Sequence, residues 1–134
     1  MDVSANLGKL LLRLTLGGLL LFHGVAKIQR GVEGIVERVA GTGLPPSVGY
    51  LVYIGEVLAP VLLIIGLWSR AAALIVAVNM VVAVWLAHST QLTELGRSGG
   101  LALELQAFYF LTAVAILLLG AGKFSVGGPN GKLN

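Results

Sequence analysis

The run VGYLVYIGEVLAPVLLIIGL, Val48–Leu67, decides how this chain is read. At the α-helical rise it reaches about 30 Å, the hydrocarbon thickness of a bilayer. One carboxylate, Glu56, interrupts it about 12 Å from its start. A charge in hydrocarbon costs roughly 2.5 to 3.5 kcal/mol, so a residue that persists there needs a partner or a task. Pro60 follows one turn later. It predicts a kink within one span, because neighbouring helices can satisfy the carbonyl it frees.

Three comparable apolar runs, at 7–28, 71–87 and 101–121, accompany this one at 48–67. Gly43-Leu44-Pro45-Pro46 breaks the chain before the second run. The turn Trp68-Ser69-Arg70 is so short that the third run must return antiparallel, and Trp68 and Arg70 suit a membrane interface. Between the first two runs, Val32, Ile35, Val36 and Val39 recur at helical spacing, with Arg30, Glu33, Glu37 and Arg38 opposite. That pattern predicts an amphipathic helix of about three turns, lying in the interface as a connector packed on the spans. The Gly/Pro/Asn tail over 126–134 is expected to fray. The expectation is a single membrane domain over 1–134. Its class is all-α: a four-helix up-and-down bundle with a short amphipathic interfacial helix between spans one and two.

Composition agrees. The 134 residues are 57% hydrophobic and 11% charged, with a mean hydropathy of +0.94, which marks an integral membrane protein. The net charge of +3 is scattered over loops and helix ends without forming a patch, so nucleic acid is not an expected partner. With no cysteine, disulfides, thiolate metal ligation and CxxC redox chemistry are excluded, and any redox work needs a bound cofactor or another subunit. The first run imitates a secretory signal, with Lys9 and Arg13 ahead of its apolar stretch Leu14–Phe22 and Gly24-Val25-Ala26 as a cleavage-like end. Its length reads as a retained span. Lys9, Arg13, Arg70, Lys123 and Lys132 fall on the terminal side, against Lys27, Arg30, Arg38 and Arg97, which leans the termini to the cytoplasm.

Threading the runs up and down brings His23, Lys27, Glu56, His88 and Glu104 toward the long-loop face. His23 and Lys27, spaced i, i+4, share one stripe. This set can pair, most readily Lys27 with a glutamate, and can relay protons. Duller roles compete with that reading. Lys27 and Arg13 can snorkel to opposite interfaces, His88 can be a loop residue, and Glu104 can be a first-turn acid. His23 can bury as a neutral, hydrogen-bonded ring, and Asn79 can be interhelical glue. Glu56 is the hardest to explain by structure alone.

Leu12-Arg13-Leu14, Leu21-Phe22-His23-Gly24-Val25-Ala26-Lys27, Gly43-Leu44-Pro45, Gly55-Glu56, Gly66-Leu67-Trp68-Ser69-Arg70, His88 and Gly120-Ala121-Gly122-Lys123-Phe124-Ser125 follow in an order that resembles the DoxX family. The resemblance covers nearly the whole chain. It implies a four-helix, multi-pass protein of the bacterial inner membrane, with relatives linked to quinone-coupled oxidation of sulfur compounds or to membrane-attached oxidative-stress complexes. The residues it carries over are His23, Lys27, Glu56, Arg13 and His88.

The resulting expectation is a membrane subunit of a redox system that receives a quinone headgroup. The candidate polar pocket comprises His23, Lys27, Glu56, His88 and Glu104, with Glu56 and His23 as candidate proton-transfer groups. No dinucleotide or cluster motif is present, so the chain is not a complete dehydrogenase, and a partner oxidoreductase must deliver electrons. Two other readings stay open. One is a non-enzymatic transporter or membrane scaffold, with oligomer contacts at Gly55/Ala59 and Ala73/Ala77. The other is haem or metal ligation by His23 and His88, with Glu56 or Glu104 as a further ligand, for which no ligand spacing motif exists and no metal residues are assigned.

Overall fold

A computed structural model describes residues 2–88, 94–97 and 99–134, the side chains of Ala87 and His88 excepted. The described residues are all-helical, with five α-helices among them: α1 (Val3–Arg30), α2 (Glu33–Gly41), α3 (Ala59–Ile65), α4 (Ser69–Ala83) and α5 (Glu104–Leu119). Among the described residues no strand forms, only an isolated bridge between Leu95 and Leu101. A 3-10 turn (Pro46–Leu51) and a π-helical turn (Ile54–Leu58) lead into α3, so the apolar helical run is continuous over Pro46–Ile65. A second π turn, Val84–His88, ends α4. Val3–Arg30, Pro46–Ile65 and Ser69–Leu86 are each long and apolar enough to cross a membrane. The 16-residue α5 is apolar but shorter.

Local chemistry sets the helix ends. Asp2 caps α1 by accepting from the Ser4 N–H at 3.0 Å, and Gly31 closes it at φ 83°. Gly66 ends α3 in the left-handed conformation, and its N–H donates to the Leu62 carbonyl. The core lies where α1, α3, α4 and α5 meet, filled by Leu16, Leu20, Leu63, Val76, Ala113 and Ile116. Outside it the helices turn Phe22, Phe108, Leu111 and Leu118 outward, each more than half exposed. An apolar exterior of that extent is unfavourable in water and suits lipid. Together with the apolar helices it marks a membrane protein.

The tail over 126–134 does not fray. Val126 and Gly127 donate N–H bonds to the carbonyls of Ile65 and Gly66, at 3.0 and 2.9 Å. Asn134 accepts from the Ser69 N–H at 3.0 Å, and the Leu133 carbonyl accepts from the Arg70 N–H at 2.9 Å. The tail therefore serves the open carbonyls ending α3 and the open N–H groups starting α4, which the three-residue turn cannot satisfy alone. Polar composition, read as disorder, was complementarity to two helix ends.

Candidate functional site

Glu56 sits inside the π turn, and Pro60 gives a reason for that turn. Proline has no N–H, so the Glu56 carbonyl loses its i+4 donor; the ladder slips a residue, with Ala59 N–H donating to the Ile54 carbonyl. The freed carbonyl faces Gly24 of α1. A Cβ there would collide with the Glu56 carbonyl oxygen and stand 2.7 Å from its carbon. Gly17, two turns back on the same face, meets the Pro60 carbonyl in the same way. On the other side a Cβ at Gly55 would lie 2.6 Å from Asn79 Cγ, so the glycine lets the Asn79 side chain cross over it. The small residues around Glu56 thus bring α1 and α4 within side-chain reach of one carboxylate.

Lys27 donates to both oxygens of that carboxylate, at 2.5 Å to Oε1 and 2.6 Å to Oε2. The Asn79 amide donates to Oε2 across 3.4 Å, and the Tyr53 hydroxyl donates to the Lys27 carbonyl at 3.2 Å, holding the end of α1. Glu56 is buried, its side chain 6% exposed, whereas that of Lys27 is 29% exposed. The acid is therefore the fixed member of the pair and the ammonium the one that reaches outward. An ammonium has three donors, and the carboxylate occupies two.

The pair forms one end of a cavity of about 640 Å³. Its walls are apolar: Ile35 and Val39 from α2, Val48 and Leu51 from the 3-10 turn, and Leu74, Val78 and Val82 from α4, with Trp85 beyond. Lys27, Glu56, Asn79 and Arg38 supply the polar groups. Leu51, Leu74, Val78 and Trp85 are also exposed on the outer surface, so the cavity opens sideways through the helix exterior. The volume is in the range of sites that hold small molecules. The amphipathic helix α2 takes the place given to it by the sequence, packed over the start of the second span.

The expected set of charges is thus brought together only in part. Lys27 and Glu56 meet as foreseen. His23, expected to face inward, is exposed on α1; its ring meets Tyr109 edge-on at 6.1 Å and does not line the cavity. His23 and Lys27, though spaced i, i+4, are offset around the helix, and Gly24 holds the inward position. Glu104 is exposed in the first turn of α5, the dull role considered for it. The side chain of His88 lies outside the described residues. Among the described residues no group of three His, Asp or Glu side chains gathers in a metal-binding arrangement.

Arg13 also departs from expectation, because it does not snorkel. It is fully buried and donates to the carbonyls of Ala121 (3.1 Å), Leu63 (3.0 Å) and Phe124. Fourteen positions before Lys27, it lies about 21 Å away along α1. The guanidinium binds α1, the end of α3 and the segment after α5 together. Ala59, Ala73 and Ala77, offered as oligomer contacts, are likewise buried in the chain's own core.

Asn79 as a partner of the carboxylate, Gly24 as a contact point and Arg38 as a cavity residue were not singled out as site residues from the sequence. An asparagine in mid-span was the signal for the first, and the Pro60-to-Glu56 spacing for the second.

A sequence model of the DoxX family matches residues 8–89. A Bacillus subtilis (strain 168) protein named Putative oxidoreductase CatD is 32% identical over 84 residues, which is 63% of this chain and 62% of that relative. The match thus spans less than two thirds of the relative's length. No solved structure shows a significant match. The matched region holds most of α1, the Lys27–Glu56 pair, Asn79 and every lining residue of the cavity, and on that evidence the chain belongs to the DoxX family.

Proposed function

We propose that the chain is a membrane subunit of a redox system, binding a quinone headgroup at the polar end of the cavity and working with a partner oxidoreductase. The observation that carries this reading is the cavity itself, an apolar chamber of about 640 Å³ ending at Lys27, Glu56 and Asn79. A quinone is an apolar ring and tail with two carbonyl acceptors. The third donor of Lys27 would serve one acceptor, and the ring would lie among the valines and leucines. Reduction takes an electron pair from the partner and two protons from water, one for each ring oxygen; Glu56, fixed and hydrogen-bonded to Lys27, is the group suited to take up one of them and pass it on. The name of the Bacillus relative supports the redox class.

In this reading α5 is the fourth span, completing an up-and-down bundle in the bacterial inner membrane with the termini in the cytoplasm. The Lys27–Glu56 pair, with its acid buried, also fits a scaffold, in which the charges serve only to hold the helices. Glu56→Gln separates the two. The amide keeps the shape and some hydrogen bonding but cannot pass a proton. With the electron-donating partner reconstituted, the variant is expected to bind quinone nearly as the parent does and to reduce it far more slowly. Normal turnover by the variant, or no quinone binding by the parent, would leave the scaffold.

A further inference from the structure

The charges lining the cavity do not cancel. Glu56 is its one acid among the described residues, and Lys27 already holds both oxygens of that carboxylate. Arg38 remains. It lines the same cavity from α2, and among the described residues no carboxylate lies within ion-pairing distance of it. Its neighbours toward the cavity, Ile35 and Val39, are apolar, and Val39 is buried. A guanidinium beside hydrocarbon is weakly screened on that side, and its planar fork matches a pair of anionic or strongly accepting oxygens.

We infer that the cavity takes an amphiphile whose head carries negative charge, with Arg38 as the residue that selects for it. For a quinone-like ligand this means an ionised ring hydroxyl beside a carbonyl; the inference rests on the proposed function for the ring but not for the charge. Anionic phospholipid offers the same chemistry from another source, a charged head on apolar chains. Arg38 is exposed as well as cavity-lining, so water limits the discrimination to roughly tenfold in affinity.

The test uses the full chain in nanodiscs of zwitterionic lipid. Trp85 lines the cavity, and Trp68→Phe removes the other tryptophan, leaving Trp85 as the reporter. Its quenching is titrated with an alkylated hydroxynaphthoquinone, anionic at neutral pH, and with the methyl ether, neutral and nearly isosteric. The anion is expected to bind roughly tenfold tighter, Arg38→Gln to erase that preference while leaving the ether's affinity within about twofold, and Arg38→Lys to restore part of it. Equal affinities in the parent, or an equal loss of both ligands in Arg38→Gln, overturn the inference.

An alkylated naphthoate gives the independent arm. If it competes while the parent fails to reduce quinone with its partner, the charge selection stands and the quinone reading falls. Nanodiscs containing phosphatidylglycerol identify the source. Displacement of the anionic probe by that lipid, lost in Arg38→Gln, supports the same selection with phospholipid as occupant. Absence of displacement supports a free amphiphile, provided the preference for the anion holds.

Discussion

Replacing Gly24 by alanine tests the arrangement at its tightest point. The added methyl would collide with the Glu56 carbonyl oxygen, lie 2.7 Å from its carbon and 2.8 Å from Val57 Cγ2. Carbon contacts relax at roughly 3.5–4.0 Å, so α1 and the π turn must part by about 1 Å. The opposing atom is backbone, held by the helix on either side of Pro60, and cannot turn aside as a side-chain end would. Overpacking of this kind costs roughly 1–3 kcal/mol. Alanine's better helix propensity returns about 0.8–1 kcal/mol, leaving a net loss of about 0–2 kcal/mol if the ion pair survives, and about 1–3 kcal/mol relative to an alanine placed where it meets nothing. The same displacement lengthens Lys27 to Glu56 from 2.5 Å, which adds to the loss and weakens ligand binding at that end of the cavity. Gly18 is the control. Nothing lies within 4 Å of a Cβ there, so Gly18→Ala gains helix propensity without a clash. Reversible denaturation in mixed micelles gives both unfolding free energies, and Trp85 quenching gives the binding. If Gly24→Ala proves as stable as Gly18→Ala and binds equally well, the close approach of α1 to Glu56 is not how the site is held.

The ion pair and the Arg13 contacts give two further expectations. Lys27→Met strands the more buried Glu56 and is expected to destabilise by about 3 kcal/mol, more than Glu56→Leu, which leaves a partly exposed ammonium; the double variant recovers most of the loss. A double variant as unstable as Lys27→Met in the same denaturation assay would show that packing, not charge, dominates there. Arg13→Leu removes the donor to three carbonyls, at roughly 1–3 kcal/mol for each group left unsatisfied, and is expected to speed proteolytic release of the segment after Ser125. Arg13→Lys rescues only part of this because an ammonium lacks the guanidinium fork, and wild-type cleavage rates in Arg13→Leu would count against the clamp.

The helices were legible because the information they need is local. Apolar runs, the short Trp68–Arg70 turn and the amphipathic period of α2 each appear in a window shorter than the element they specify. Lys27 with Glu56 was legible for a related reason: counting residues along each span places both in the half nearest the long loops, where a buried acid needs a cation as partner. Rotation about the helix axis was not. A small error in phase moves a residue from the interior to the surface, and His23 was misplaced in this way while Gly24 beside it took the contact. The tail failed differently. Its order depends on two helix ends more than fifty positions earlier in the chain, and polar composition carries no record of what it is complementary to. Arg13 belongs with the tail, since two of its acceptors lie more than one hundred positions away.

Arg13 and Lys27, two cations of α1, show why ligand chemistry belongs at one end of the fold. Arg13 is saturated by main-chain carbonyls, groups that do not titrate and cannot leave, so its surroundings fix position and nothing more. Lys27 is held by a carboxylate, which can gain a proton and stands with it beside an open chamber. One change of ligand or protonation alters the charge balance at Lys27, whereas none available alters it at Arg13. Pro60 adds to the contrast. By shifting the backbone ladder at Glu56 it gives the carboxylate a setting that a regular helix would not supply, a departure that recurs at functional sites. The π turn is a cost that an ion pair does not by itself require, since at Arg13 a cation joins α1 to α3 while both keep regular helix geometry.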